Sequence, residues 1–138
     1  MAFKSKKFLF AGLEEMTLTV FEDHLLKRFS ERMGIKFNDG QDCLNWLDAC
    51  LQDERLIRIY EKVPVYATVV LYVESKKLYL IMMMGTQKDP NEVKVNTVLY
   101  RSNEKMRLLV QETDNCYVLP SEGKLRYGTE KKYFERNH

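Results

Sequence analysis

Histidine is almost missing from this chain: only His24 and the terminal His138 occur among 138 residues. Cysteine is scarce too, with Cys43, Cys50 and Cys116 making an odd count and no Cys-x-x-Cys pair. These shortages argue against a structural zinc site and against a disulfide framework. Cys43 and Cys50 are two helical turns apart, roughly 10 Å by helical rise, too far for a disulfide. All three are expected to be reduced core filler in a cytosolic protein. No GxGxxG or Walker-type loop is present, nor HExxH, EF-hand or GxSxG spacing, so nucleotide-loop, metalloprotease and serine-hydrolase chemistry lack their signatures. No metal and no cofactor is expected. No apolar run approaches the ~18 residues of a membrane span. The apolar stretch near the N-terminus is shorter than the roughly 7–15 residues of a signal core, and a first strand over 7–11 is expected there instead.

What is present suits one globular domain over residues 1–138. Hydrophobic residues make up 45% and charged residues 30%, and the net charge is +2. That composition can bury a core, and that charge neither demands nor repels a nucleic acid. The tail over 121–138 is charged and weakly patterned, ending in a short strand or fraying.

Periodicity places helices before strands. Thr19-Val-Phe-Glu22 has capping-box spacing and predicts a helix start, with Gly34 as its left-handed stop. Phe21, Leu25, Phe29 and Met33 form its apolar ridge. A second helix is expected from Asn38 or Asp39 to about Asp53, with Cys43, Leu44, Leu47, Cys50 and Leu51 inward and Trp46 anchoring it to the sheet. The period then shortens to two. Strands are expected at 56–60, 65–73, 78–84 and 93–100, with a last hairpin of 106–112 and 116–119. Short connections imply an antiparallel meander. The expected class is α+β: two N-terminal helices packed on one face of a five- or six-stranded, mainly antiparallel sheet.

His24, Arg28 and Arg32 stand four residues apart on the first helix. Four residues turn a helix by about 400°, so the three side chains form one ridge. The ridge lies about 100° from the apolar one, at the border of the buried face. A histidine near its ordinary pKa can move a proton at neutral pH, and adjacent cations suit an anionic substrate such as a phosphodiester. The plain alternative is the wet side of an amphipathic helix, with Asp23 and Glu31 pairing the charges.

The run His24-x3-Arg28-x3-Arg32-x-Gly34-Ile35, a second helix, and a meander closing on Asn96-Thr97-Val98-Leu99-Tyr100-Arg101 resembles the RelE/colicin-D/barnase-like ribonuclease superfamily in its toxin-like branch. The likeness covers about residues 20–101. It implies a metal-independent endoribonuclease or RNA-binding domain with His24 as acid/base. Arg28 and Arg32 would hold phosphate, and Thr97, Tyr100 and Arg101 would line the cleft. The intervening Leu99 puts Tyr100 on the opposite strand face from Thr97. Tyr60, Tyr66, Tyr72, Tyr79 and Tyr100 are candidate base-stacking rings, though sheet packing is the ordinary role of such tyrosines.

The rival reading is a non-enzymatic immunity, inhibitor or accessory protein of a phage or mobile element, whose partner is another protein. Met82, Met83 and Met84 are expected in a central strand, or at an adaptable interface if exposed. Lys76-Lys77 reads as a turn pair that serves solubility.

Overall fold

A computed structural model describes residues 3–100 and 115–127. Two N-terminal strands, β1 (Phe3–Phe10) and β2 (Glu14–Phe21), form a hairpin. Two helices follow, α1 (Glu22–Met33) and α2 (Gly40–Leu51). A 3-10 turn over Glu54–Leu56 leads into a short α3 (Ile57–Lys62). The chain continues through β3 (Ala67–Val73), β4 (Leu78–Met84) and β5 (Glu92–Tyr100), and the C-terminal part adds β6 (Cys116–Leu119) and β7 (Arg126–Tyr127).

The class is α+β, and the sheet is mixed, its β1–β2, β4–β5, β3–β4 and β6–β7 pairs antiparallel. Among the described residues it has seven strands rather than five or six, in the order β1-β2-β5-β4-β3-β6-β7, with three helices rather than two, and a strand hairpin precedes the helices. Two neighbouring pairs are parallel: β2 with β5, and β3 with β6. Parallel partners have no tight turn to announce them, because they are joined by long connections.

The expected capping box is overturned. Thr19 lies inside β2, and the cap position of α1 is Phe21, without a side-chain cap. The Thr19 hydroxyl is used across the sheet, 2.9 Å from Ser5 Oγ and donating to Glu92 Oε2 at 3.0 Å. Glu22 likewise turns away from its own helix and accepts from the Gly40 N–H at 3.2 Å, at the start of α2. A Cβ on residue 40 would lie 2.8 Å from Glu22 Cδ, so glycine permits that approach. The alternation of Met16, Leu18 and Val20 inward is the strand signal that competes with the box.

The predicted strand at 56–60 is also overturned, since this segment is the 3-10 turn and α3. Leu56, Ile59 and Val63 are its buried residues, spaced as on a helix, while Arg58 and Tyr60 are exposed. Over five residues the two periods are nearly indistinguishable. Of the predicted final hairpin, residues 106–112 lie outside the described residues, and Cys116–Leu119 pairs in parallel with β3.

Other expectations match. Gly34 has φ 66°, and the Gly34 and Ile35 N–H groups donate to the Ser30 and Phe29 carbonyls, which ends α1. Asp39 Oδ1 accepts from the Asp42 N–H at 3.0 Å and caps α2.

All three helices contribute to one core on one face of the sheet, through Leu25 and Phe29, Leu44 and Leu47, and Ile59. Leu71, Leu80, Met82, Val95 and Val98 meet them from the strands. On the other face a second buried cluster holds Val70, Tyr72, Tyr79, Ile81, Leu99, Cys116 and Val118. β3 and β4 are therefore buried on both faces, which is why their sequences are almost unbroken apolar runs. Met82 and Met84 are buried and Met83 is half-buried, in line with a central strand. Trp46 packs edge-on against Phe29, ring centres 5.1 Å apart, so it anchors α2 to α1. No helix among the described residues is long and apolar enough to cross a membrane.

Candidate functional site

The geometry around α1 follows from where β2 ends. Its pairing with β5 stops at Val20 opposite Val95, and the chain then turns into α1. From Asn96 onward, β5 has no strand on that side among the described residues. Such an edge leaves backbone groups that need partners. Arg32 supplies one: its Nη1 donates to the Val98 carbonyl oxygen at 2.7 Å and to Thr97 Oγ1 at 3.3 Å.

The helix ridge and the closing strand therefore meet through Arg32 and Thr97, residues separated by 65 positions. His24, Arg28 and Arg32 are all half-buried, as expected of a ridge bordering the buried face. Arg28 Nη1 donates to Glu31 Oε2 at 3.1 Å, and Lys27 Nζ lies 3.9 Å from the same carboxylate's other oxygen. Arg28 thus has an internal acidic partner, as the plain surface reading anticipates. Tyr100 ends β5, though only its backbone is described, and Arg101 lies outside the described residues.

The electrostatics of the ridge are one-sided. Burial lowers the His24 pKa below its ordinary 6.5, and Arg28, Arg32 and Lys27 lower it further. The imidazole is therefore neutral at pH 7, with a lone pair available to accept a proton. Its protonated form is destabilised by the same neighbours and gives its proton up readily. Burial and Arg28 also lower the Arg32 pKa, while Glu31 opposes them. A guanidinium nevertheless keeps its charge at neutral pH.

Comparison with protein families, curated proteins and solved structures returns no significant match. The site therefore stands on its own geometry.

The tyrosines divide clearly. Tyr72 and Tyr79 are buried in the second cluster with ring centres 4.7 Å apart, so neither presents a face to a ligand. Tyr60 and Tyr66 are exposed. Tyr66 precedes β3 and has φ 75°, an unusual backbone for a bulky residue. It lies just outside β3 rather than within the strand expected over 65–73. No group of three histidine, cysteine or acidic side chains among the described residues is placed to hold a metal.

Sequence reasoning did not see the contribution of Val98, whose backbone carbonyl is the nearer of the two acceptors on Arg32 Nη1. A backbone acceptor leaves no mark on residue type. Sequence reasoning also read Lys76 as half of a solubilising turn pair, whereas its Nζ stands 5.7 Å from the Trp46 ring centre.

Proposed function

We propose that this chain is a toxin-like, RNA-directed domain acting as a metal-independent endoribonuclease at the His24 ridge. The reading rests on one observation, that Arg32 joins the ridge to Thr97 and Val98 on the open edge of β5. In this scheme neutral His24 accepts the proton of a ribose 2′-hydroxyl. The 2′-oxygen attacks phosphorus, the bond to the 5′-oxygen breaks, and that oxygen takes up a proton. The products are a 2′,3′-cyclic phosphate and a 5′-hydroxyl end. Arg28 and Arg32 hold charge on the nonbridging oxygens, and Thr97 stands beside them on β5; roles for Tyr100 and Arg101 in binding the substrate come from the resemblance alone. The depressed His24 pKa supports the base role, since the imidazole is deprotonated when substrate arrives.

The test is incubation with total RNA in excess chelator, beside His24→Ala and Arg28→Ala variants. Cleavage by the parent protein that falls about 100-fold or more in His24→Ala is expected, the usual scale for losing a general base. No cleavage by the parent, or equal cleavage by parent and variant, would sink the proposal.

A second reading, a non-enzymatic accessory protein that binds another protein, is favoured by a different observation. Tyr60 and Val65 border a cleft of about 330 Å³ with Met16 and Pro90, and exposed Tyr66 stands beside Val65. Exposed aromatic and apolar side chains around a concavity suit a protein contact. Under this reading Tyr66→Ser abolishes partner capture and His24→Ala does not.

A further inference from the structure

A second cleft lies at the carboxyl ends of the two parallel strands β3 and β6. Val73 and Leu119 end these strands in register with each other. From Val73 the chain turns through Glu74–Lys76 into β4 on one side. From Leu119 it runs to β7 on the other side. The two connections leave these neighbouring parallel strands in opposite directions, and a crevice lies between them. Here that crevice has a volume of about 380 Å³ and is lined by Ser75 and Lys76 from one connection and Pro120 and Ser121 from the other. α2 closes its back with Trp46 and Cys50. This volume is in the range of small-molecule sites.

The walls are held in place without any ligand. Arg55 is a clamp: its Nη1 donates to the Pro120 and Gly123 carbonyls at 2.8 and 2.7 Å. Its Nε and Nη2 grip the Asp53 carboxylate at 2.9 and 2.7 Å. The Ser121 N–H donates to Glu74 Oε1 at 3.2 Å and ties one connection to the other. The guanidinium and both carboxylates are thereby committed to structure.

Lys76 is different. Among the described residues it has no ion-pair partner, and its ammonium rests over the face of Trp46. Trp46 is fixed edge-on by Phe29 and Phe37, at tilts of 76° and 65°. A pinned, half-buried aromatic face beside an exposed lysine without an acidic partner offers two complementary contacts once the flexible Lys76 chain swings off the indole. A planar ring can stack on the indole, and an anionic group can take the ammonium.

We propose that this cleft binds a small molecule made of a planar ring and one anionic group, carboxylate or phosphate, with the ring on Trp46 and the anion on Lys76. The site is built from elements other than the His24 ridge and does not depend on the function proposed there.

Trp46 is the only tryptophan in the chain, so its indole N–H gives a single NMR signal that reports directly on the cleft. The full chain is titrated with nicotinate, adenosine monophosphate, adenosine and inorganic phosphate. A saturable shift of the Trp46 signal is expected with nicotinate or adenosine monophosphate. When adenosine monophosphate is the binder, adenosine binds about tenfold more weakly, as loss of one charge-assisted contact implies. Lys76→Gln is expected to weaken the anionic ring ligand by a similar factor. Because Lys76 is exposed, the fold tolerates that change. An unmoved Trp46 signal with both anionic ring probes overturns the proposal. So does phosphate alone reproducing the shift, or Lys76→Gln binding as tightly as the parent.

Discussion

Arg32 Nη1 lies 2.7 Å from the carbonyl oxygen of Val98. One guanidinium nitrogen thus satisfies, at the edge of β5, a backbone acceptor that a neighbouring strand satisfies elsewhere in the sheet. The arginine that a functional reading assigns to phosphate is also part of the fold.

That dual position separates the two ridge arginines. Arg32→Ala leaves the Val98 carbonyl without this partner and is expected to cost about 1–3 kcal/mol. Urea unfolding should show a lower midpoint with an unchanged slope. Arg28→Ala removes a helix-surface contact to Glu31 and should cost roughly 0.2–0.5 kcal/mol. If Arg32→Ala proves as stable as the parent, Arg32 is not supporting the strand edge. A loss of RNA cleavage in Arg28→Ala, by contrast, would not be explained by unfolding.

The His24 pKa is lowered in the folded state, so the unfolded chain takes up this proton first as the pH falls. Stability is therefore expected to decline as the pH drops through about 6.5, and to level off below the folded pKa. His24→Gln should show a flatter profile across that interval in thermal unfolding at a series of pH values. Equal slopes in parent and variant would rule out His24 as their source.

Burial pushes the Cys43 thiol up to about 12 and the Cys50 thiol up to about 11. At pH 8 both are almost wholly protonated, and Cys116 is buried. Alkylation of the native protein should be slow, with Cys50 first because it is the most exposed of the three, and all three should react in denaturant. Mass spectrometry of peptides from timed samples reads the order. Rapid native labelling of Cys43 would contradict its burial in the core.

Arg55 holds the Asp53 carboxyl below its ordinary pKa, chiefly through their side-chain hydrogen bonds. The stabilisation is present above the ordinary carboxylate value and lost as the pH falls through the lower folded one. Arg55→Ala strips partners from Asp53 and from the Pro120 and Gly123 carbonyls, at an expected cost of about 1–3 kcal/mol near neutrality. In an Asp53→Asn background the same change should cost less. A double-mutant cycle measures the coupling, and strict additivity would show that the pair contributes nothing.

Legibility in the sequence depended on how local each signal was. Gly34 and Asp39 mark their helix ends through contacts within a few residues, and both are found where expected. Strands β4 and β5 form a hairpin pair across a polar loop, so their ranges could be read from apolar runs and Pro90. Thr19 and Glu22 misled because the same two residue types that cap a helix also serve in distant contacts. Thr19 instead reaches Glu92, and Glu22 reaches Gly40. The segment 56–60 misled because a single helical turn and a short strand place apolar residues almost alike. The ridge of His24, Arg28 and Arg32 was readable from spacing alone, but its contact with Thr97 and Val98 was not.

By itself the sequence determined the helix ridge, the α2 boundaries, the central apolar strands and the scarcity of metal ligands. These depend on residue type and short-range period. Only the tertiary structure decided that β2 lies beside β5 and β6 beside β3, both in parallel. That choice opens the edge that Arg32 covers and the crevice that Lys76 overlooks. Parallel pairing is set by burial between segments far apart in the chain, and no local turn records it.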